Sequence, residues 1–182
     1  FALDMGAVTP FTHALREREW VNDLFEELCG SRLTYHYLRF GGVAFDLPTG
    51  FLERVARFLD YFEPRLAQYN RLISNNKIFK ERLAGVAAIR GEDAVDYGLV
   101  GPNLRASGVD WDLRRDEPYS VYPELEFEVV GPPADGVKGD CSSRYWVRIR
   151  EMAESARLVR QCVAKMPGGS SWNRSKKKLK LP

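Results

Sequence analysis

"TGFLERVARFLDYFEPRLAQYNRLIS", residues 49–74, decides the fold class. Phe51, Leu52, Val55, Phe58, Leu59, Phe62, Leu66, Tyr69, Leu72 and Ile73 recur in steps of three and four. That spacing places them in one stripe along a helix, and a stripe so rich in aromatics reads as core rather than as a cofactor seat. Asp46 or Thr49 stands where a side chain caps the helix start. Pro64 predicts a kink or a split, because proline lacks the amide hydrogen and its ring clashes with the preceding turn.

Two further helices flank this one in sequence. Residues 10–28 carry Phe11, Ala14, Leu15, Val21, Leu24, Phe25 and Leu28 at helical spacing, with Pro10 in the first turn and Gly30 as the stop. Their charged block Arg16-Glu17-Arg18-Glu19 reads as a solvated face, with a subunit-docking face as the alternative. Residues 142–166 line Ile149, Met152, Ala156, Val159, Val163 and Met166 on one side, and Pro167-Gly168-Gly169 ends them. Residues 76–98 read as two shorter helices separated near Gly85 and Gly91. Two stretches favour strands: 32–40, "RLTYHYLRF", ended by Gly41-Gly42, and 124–130, "ELEFEVV", with its polar–apolar alternation. Residues 101–114, "GPNLRASGVDWDLR", read as a structured loop. The fold class is mainly α, multihelical with a small β-portion.

Composition narrows the function classes. The 182 residues are 45% hydrophobic and 12% aromatic, enough for a real core. Lysine and arginine (27) nearly balance aspartate and glutamate (25), for a net charge of +2, which argues against a dedicated nucleic-acid binder. Arg174, Lys176, Lys177, Lys178 and Lys180 concentrate positive charge in residues 168–182. That tail reads as solvated and poorly ordered, with an acidic partner or anionic headgroups as the alternative. Cys29, Cys141 and Cys162 are odd in number, widely spaced and form no CxxC pair, which fits reduced thiols and no metal site within the chain. The two histidines, His13 and His36, do not change that expectation. No GxGxxG, P-loop or GxSxG signature occurs, so no nucleotide site or hydrolase elbow is expected. No stretch is apolar and long enough to span a bilayer. Phe1 is not a start methionine, and a fragment is expected.

One acid stands out. In "FALDMGAVTPF" (1–11), Asp4 sits among apolar and small residues, beside Gly6. A carboxylate in an apolar pocket is costly to ionise, which suits a proton donor near neutral pH. Gly6 leaves room for a close approach. The alternative is a carboxylate that pairs with a cation or an amide and only holds a helix junction.

Several motifs in order resemble a known family: "LDMGAVTPF" (3–11) with "REREW" (16–20), "RFGGVAFDLP" (39–48), "NNKIFKERLAGVAAI" (75–89), "YGLVGPNLRASGVDWDLRRDEPYSVY" (97–122), "GDCSSRY" (139–145) and "VRIREMAESARLVRQC" (147–162). Residues 1–167 resemble the middle of the 49-kDa-type subunit, the quinone-site subunit, of NADH:quinone oxidoreductase, respiratory complex I. The resemblance implies a fold shared with the large subunit of NiFe hydrogenases. There the metal-binding cysteines are lost and the vacated cavity holds a quinone headgroup. It implies that quinone is the substrate, that this chain binds no metal or nucleotide, and that the terminal iron–sulfur cluster sits on a neighbouring subunit. Implied partners are that cluster-bearing subunit, a peripheral-arm subunit and a membrane subunit forming the quinone channel, on the cytoplasmic side of the inner membrane, without nucleic acid. Asp4 matches the family aspartate implicated in proton supply at the headgroup, and Phe11 matches apolar lining of the same cavity.

Departures from the family pattern matter too. Family chains extend further at both ends, and the segment bearing the aspartate's histidine partner and a quinone-contacting tyrosine lies upstream. The fragment alone is therefore expected to be inactive. "SSWNRSKKKLKLP" (170–182) matches only loosely, and Ser143 replaces the aspartate of "GDxxDRY", which takes a charged neighbour from Arg144. In "LRASGVDWDLR", Arg105, Asp110, Asp112 and Arg114 are expected to form an ion-pair network that fixes the loop, with a subunit contact as the alternative. The rival readings are a large subunit of a membrane-bound hydrogenase-type complex and a purely structural assembly subunit.

Overall fold

A computed structural model describes residues 1–169 and Ser171; apart from 168, 169 and 171, the basic tail expected over 168–182 lies outside the described residues. The chain begins with a 3-10 turn, Leu3–Met5, and enters helix α1 (Val8–Cys29). A hairpin of β1 (Leu38–Arg39) and β2 (Gly42–Val43) follows, then α2 (Phe51–Tyr69), which continues into a π-turn, Asn70–Ser74. Short helices α3 (Lys77–Leu83), α4 (Gly91–Asp96), α5 (Gly101–Ala106) and α6 (Leu113–Asp116) lead to the long α7 (Cys141–Lys165). The fold is mainly α, and the hairpin is the sheet found among the described residues.

The long helices form where periodicity places them. Gly30 ends α1 in the left-handed conformation at φ 75°, its N–H on the Glu26 carbonyl. Helix α2 runs through Pro64 without the expected break. Pro64 and Asp60, whose carbonyl loses its partner there, both lie on the exposed face. The irregularity comes later, at the π-turn, which aims Ile73 and Ser74 inward. Neither expected cap is used: Gly50 is the N-cap at φ 74°, while the Asp46 carboxylate accepts from Leu47 N–H at 2.8 Å.

Both predicted strands need correction. Over 32–40, Thr34 (φ 53°) and His36 (φ 43°) are left-handed, which breaks the extended run. The ladder shrinks to Leu38 opposite Val43 and Arg39 opposite Gly42. Residues 125–129 do alternate between half-buried and exposed, but they meet no strand. Their amides go to helix α7 instead: Glu126 N–H donates to Gln161 Oε1 (2.9 Å) and Glu128 N–H to Glu154 Oε1 (2.8 Å). The loop predicted at 101–114 is partly helical, containing α5 and the start of α6.

Packing is organised around α2, which lies against both α1 and α7, while α5 packs on α7. Ile73, Phe79, Leu83 and Tyr145 form a buried cluster, and Ala2, Met5, Trp146 and Ile149 pack against it. The start of α7 is held by Asp140, 1% exposed. One carboxylate oxygen caps Ser143 N–H at 2.6 Å and the other accepts Gly85 N–H at 2.7 Å. Gly139 precedes it at φ 77°, and a β-carbon there would lie 2.0 Å from the Ile89 carbonyl oxygen.

Asp140→Ala strands two amides, so stability should fall by about 2–4 kcal/mol, measured by urea unfolding. Gly139→Ala should be at least as damaging.

Candidate functional site

A cavity of about 550 Å³ opens between α1, α2 and α7. Pro10, Phe11, Ala14 and Val21 come from α1; Phe58, Leu59, Phe62 and Tyr69 from α2; Ile149, Met152, Ala156 and Val159 from α7. Phe1, Ala2 and Leu3 close one end. The aromatic stripe of residues 49–74 thus faces a groove over part of its length, while Phe51, Leu59, Tyr69 and Ile73 are buried.

The buried charged group on this wall is Glu17, only 3% exposed, with Arg18 and Ser155 on the exposed part of the lining. Sequence reading assigns it to a solvated charged block; the structure turns it inward. Glu17 lies three residues after Ala14 and four before Val21, squarely on the apolar face of α1, and that spacing is the signal. Its neighbours divide: Arg18 lines the groove and Glu19 pairs outside with Arg32.

Glu17 is fully satisfied. Tyr69 Oη donates to Oε2 at 2.7 Å and Tyr61 Oη to Oε1 at 3.0 Å, while Arg16 donates to Oε1 through Nη2 (2.6 Å) and Nε (3.1 Å). Burial works to raise its carboxyl, but the hydrogen bonds from Tyr69, Arg16 and Tyr61 outweigh it and hold the group below the ordinary carboxylate range. The Tyr69 phenol is pushed the other way, by burial first and by the Glu17 carboxylate second. Tyr145, 7% exposed, shares a 2.7 Å hydrogen bond with Ser74 Oγ, which also donates to Asn70 Oδ1 at 2.7 Å; burial raises its phenol. None of these residues stands out as a site in the sequence. The charge block and the core stripe each look complete by themselves, and only their packing joins them.

Asp4 occupies a different environment from the one expected. The Leu3–Met5 turn is fastened by Ala2 and Met5, which pack against the core, and by Phe1, whose ring meets Tyr145 edge-on at 5.7 Å. The Asp4 side chain points outward, 85% exposed, 3.2 Å from the backbone nitrogen of Phe1. Gly6 leaves the turn at φ 79°, its N–H on the Leu3 carbonyl, so it serves a chain reversal. Phe11 does line the cavity.

The loop residues come together in part. Arg105 and Asp112, both buried, pair at 3.2 Å, and Arg105 also bonds Glu151 on α7. Arg114 joins Asp112 at 2.6 Å. Its hydrogen bonds hold the Asp112 carboxyl below its usual range, against the effect of burial. Asp110 stands apart, pairing with Arg115 at the exposed rim (3.0 Å). Ser143 is buried and donates to the Val137 carbonyl at 2.7 Å; Arg144 reaches the Ala87 carbonyl at 3.1 Å, while its Nη2 has no partner among the described residues. Among the described residues, no three Asp, Glu, His or Cys side chains gather as a metal site.

Because the folded Glu17 carboxyl lies below its ordinary 4.5, its contribution is complete above that pH and is lost as pH falls toward the folded value. Glu17→Gln should lower stability at pH 7 by roughly 1–3 kcal/mol and flatten the acid side of a stability–pH curve. Asp112→Ala leaves buried Arg105 short of a counter-charge and should cost about 3–5 kcal/mol in the same unfolding assay.

The family model described as "Respiratory-chain NADH dehydrogenase, 49 Kd subunit" matches residues 4–182. Among curated proteins, the chain is 57% identical over 166 residues to a D-type subunit of the NADH-quinone oxidoreductase of Sorangium cellulosum, covering 91% of this chain and 43% of that protein. It is 57% identical over 168 residues to a D-type subunit of the same enzyme of Anaeromyxobacter sp. (strain K), covering 92% and 44%. It is 48% identical over 180 residues to the H-type subunit of the NAD(P)H-quinone oxidoreductase of a Synechococcus species, covering 98% and 45%. The chain therefore spans less than half the length of these curated relatives. With the matched model running almost end to end and identity near one half or above, the chain belongs to the 49-kDa subunit family of the respiratory-chain NADH dehydrogenase.

Proposed function

We propose that this chain forms part of the quinone-site subunit of an NADH–quinone oxidoreductase, respiratory complex I. The observation that carries the reading is the match over residues 4–182 together with relatives named for quinone oxidoreduction. In this reading NADH is oxidised elsewhere in the complex, and proton translocation belongs to the whole assembly. The iron–sulfur cluster of a neighbouring subunit supplies the electrons. Reducing a quinone to a quinol takes two electrons and two protons, and Asp4 supplies one of the protons as a positioned acid. Phe11 belongs to the apolar wall behind it.

The geometry around Asp4 supports a site completed by a second surface. Its turn is locked to the core by Ala2 and Met5, yet its carboxyl faces away from the groove and outward. A fixed turn with an outward acid suits a headgroup held between this chain and another. The partners in this reading are the cluster-bearing subunit, a peripheral-arm subunit and the membrane subunit of the quinone channel. Among the described residues no helix is long and apolar enough to cross a membrane, so those subunits hold the chain against the cytoplasmic face of the inner membrane.

Asp4→Asn in the intact complex tests the reading. Quinone reduction should fall about 100-fold or more, while NADH oxidation by a water-soluble artificial acceptor and subunit assembly stay normal. Unchanged quinone turnover would overturn the role of Asp4 and favour a structural subunit.

A further inference from the structure

We infer that the outer edge of residues 125–129 is a docking edge for an extended segment of a neighbouring polypeptide, one in which basic and apolar residues alternate. The inference rests on the reading that this chain works as one subunit among several. Leu125 starts the segment in an extended conformation, φ −109° and ψ 143°. Alternate main-chain groups of an extended chain point to opposite edges. Helix α7 takes one edge. Besides the Glu126 and Glu128 amides, the Glu126 carbonyl accepts from Gln161 Nε2 and the Glu124 carbonyl from Lys165 Nζ, both at 2.6 Å. The other edge belongs to Phe127 and Val129, whose N–H and C=O groups have no hydrogen-bond partner among the described residues. A row of open main-chain donors and acceptors is the template for one more strand.

The segment is held in place before anything docks. The Arg114 guanidinium lies over the Phe127 ring at 5.1 Å, and Tyr122 meets the same ring edge-on with centroids 6.2 Å apart. An edge already fixed loses little freedom on docking. Beside it opens a cavity of about 530 Å³, lined by Phe127, Glu128 and Val129 and by Gly108 and Val109, with room for alternate side chains of an incoming strand. The charges select the partner. Arg105 and Arg115, which also line the cavity, are already paired with Asp112 and Glu151 and with Asp110 and Asp116. Glu126 and Glu128 are exposed and have no ion pair among the described residues. Opposite charges across a strand pair are favourable, and like charges directly opposite are not. A second copy pairing edge to edge would bring the same glutamates together, and a nucleic acid or an anionic lipid surface would meet the same repulsion. A main chain with Lys or Arg at alternate positions answers both the open backbone and the unpaired carboxylates.

The test uses the full-length subunit in its assembled complex. The photoreactive residue p-benzoylphenylalanine in place of Glu128 is irradiated, and its adducts are mapped by mass spectrometry. Most should join a segment of a different subunit whose residues alternate between basic and apolar. Adducts mainly within the same polypeptide, to a second copy or to lipid overturn the inference, and so does recovery of the uncoupled subunit alone. The double variant Glu126→Lys, Glu128→Lys should retain that partner several-fold less, and acids in place of the cross-linked basic residues should restore it. Full retention by the lysine variant, or a loss that the exchange leaves unrestored, overturns the pairing. Hydrogen exchange reads the backbone directly: in the complex the Phe127 and Val129 amides should exchange about 100-fold or more slower than in an unstructured chain. Exchange at the unstructured rate overturns the added strand. A subunit that purifies without other subunits of the oxidoreductase sinks the subunit reading and this inference together; one that purifies with them and gives no such adduct sinks the inference alone.

Discussion

The carboxylate of Asp140 is the point on which the rest of the structure depends. Its two oxygens take the amides of Ser143 and Gly85, residues far apart in sequence, at 2.6 and 2.7 Å. The residue before it continues the same knot: Gly139 N–H donates to the Ala106 carbonyl at 2.7 Å and its carbonyl accepts from Ile89 N–H at 3.1 Å. The start of α7, the end of α5 and the chain between α3 and α4 therefore meet in a space too tight for a β-carbon. A buried amide left unpaired costs about 1–3 kcal/mol, so these bonds hold the segments in a single register. Helix α7 emerges from that knot and packs against α2, and its stretch from Tyr145 to Val159 supplies one wall of the groove.

Two acids near the groove show how environment assigns roles. Taking a carboxylate out of water costs several kcal/mol. Glu17 tolerates it because two phenols and a guanidinium surround its oxygens, and charged hydrogen bonds contribute about 1.5–3 kcal/mol each. Those partners also hold it ionised and fix the spacing of α1 from α2. Asp4 has no such shell. It stands on a turn whose Ala2 and Met5 pack against the core while its carboxyl points into solvent. The acid inside the groove ties helices together, and the acid outside it is exposed to solvent.

Periodic features were readable from the chain. The helices over 10–28, 49–74 and 142–166 match α1, α2 with its π-turn, and α7 to within a few residues. The paired short helices near Gly85 and Gly91 are present too. The misreadings share a cause. Strand propensity over 32–40 was overruled by left-handed Thr34 and His36. Alternation over 124–130 was real, but its amides found helix side chains and no neighbouring strand. Pro64 could stay in its helix because it faces outward.

What the sequence by itself determined is therefore local and compositional: three amphipathic helices, the Gly30 stop, and family membership through ordered motifs. These depend on residues a few positions apart, or on identity alone. Tertiary structure alone decided that Glu17 is buried with Tyr61 and Tyr69, 44 and 52 positions away, that Asp4 faces outward, and that Arg105 meets Glu151 across 46 residues while Asp110 does not join it. The physical reason is that burial and charge pairing depend on which surfaces meet in space, and helical spacing fixes a face without naming what covers it.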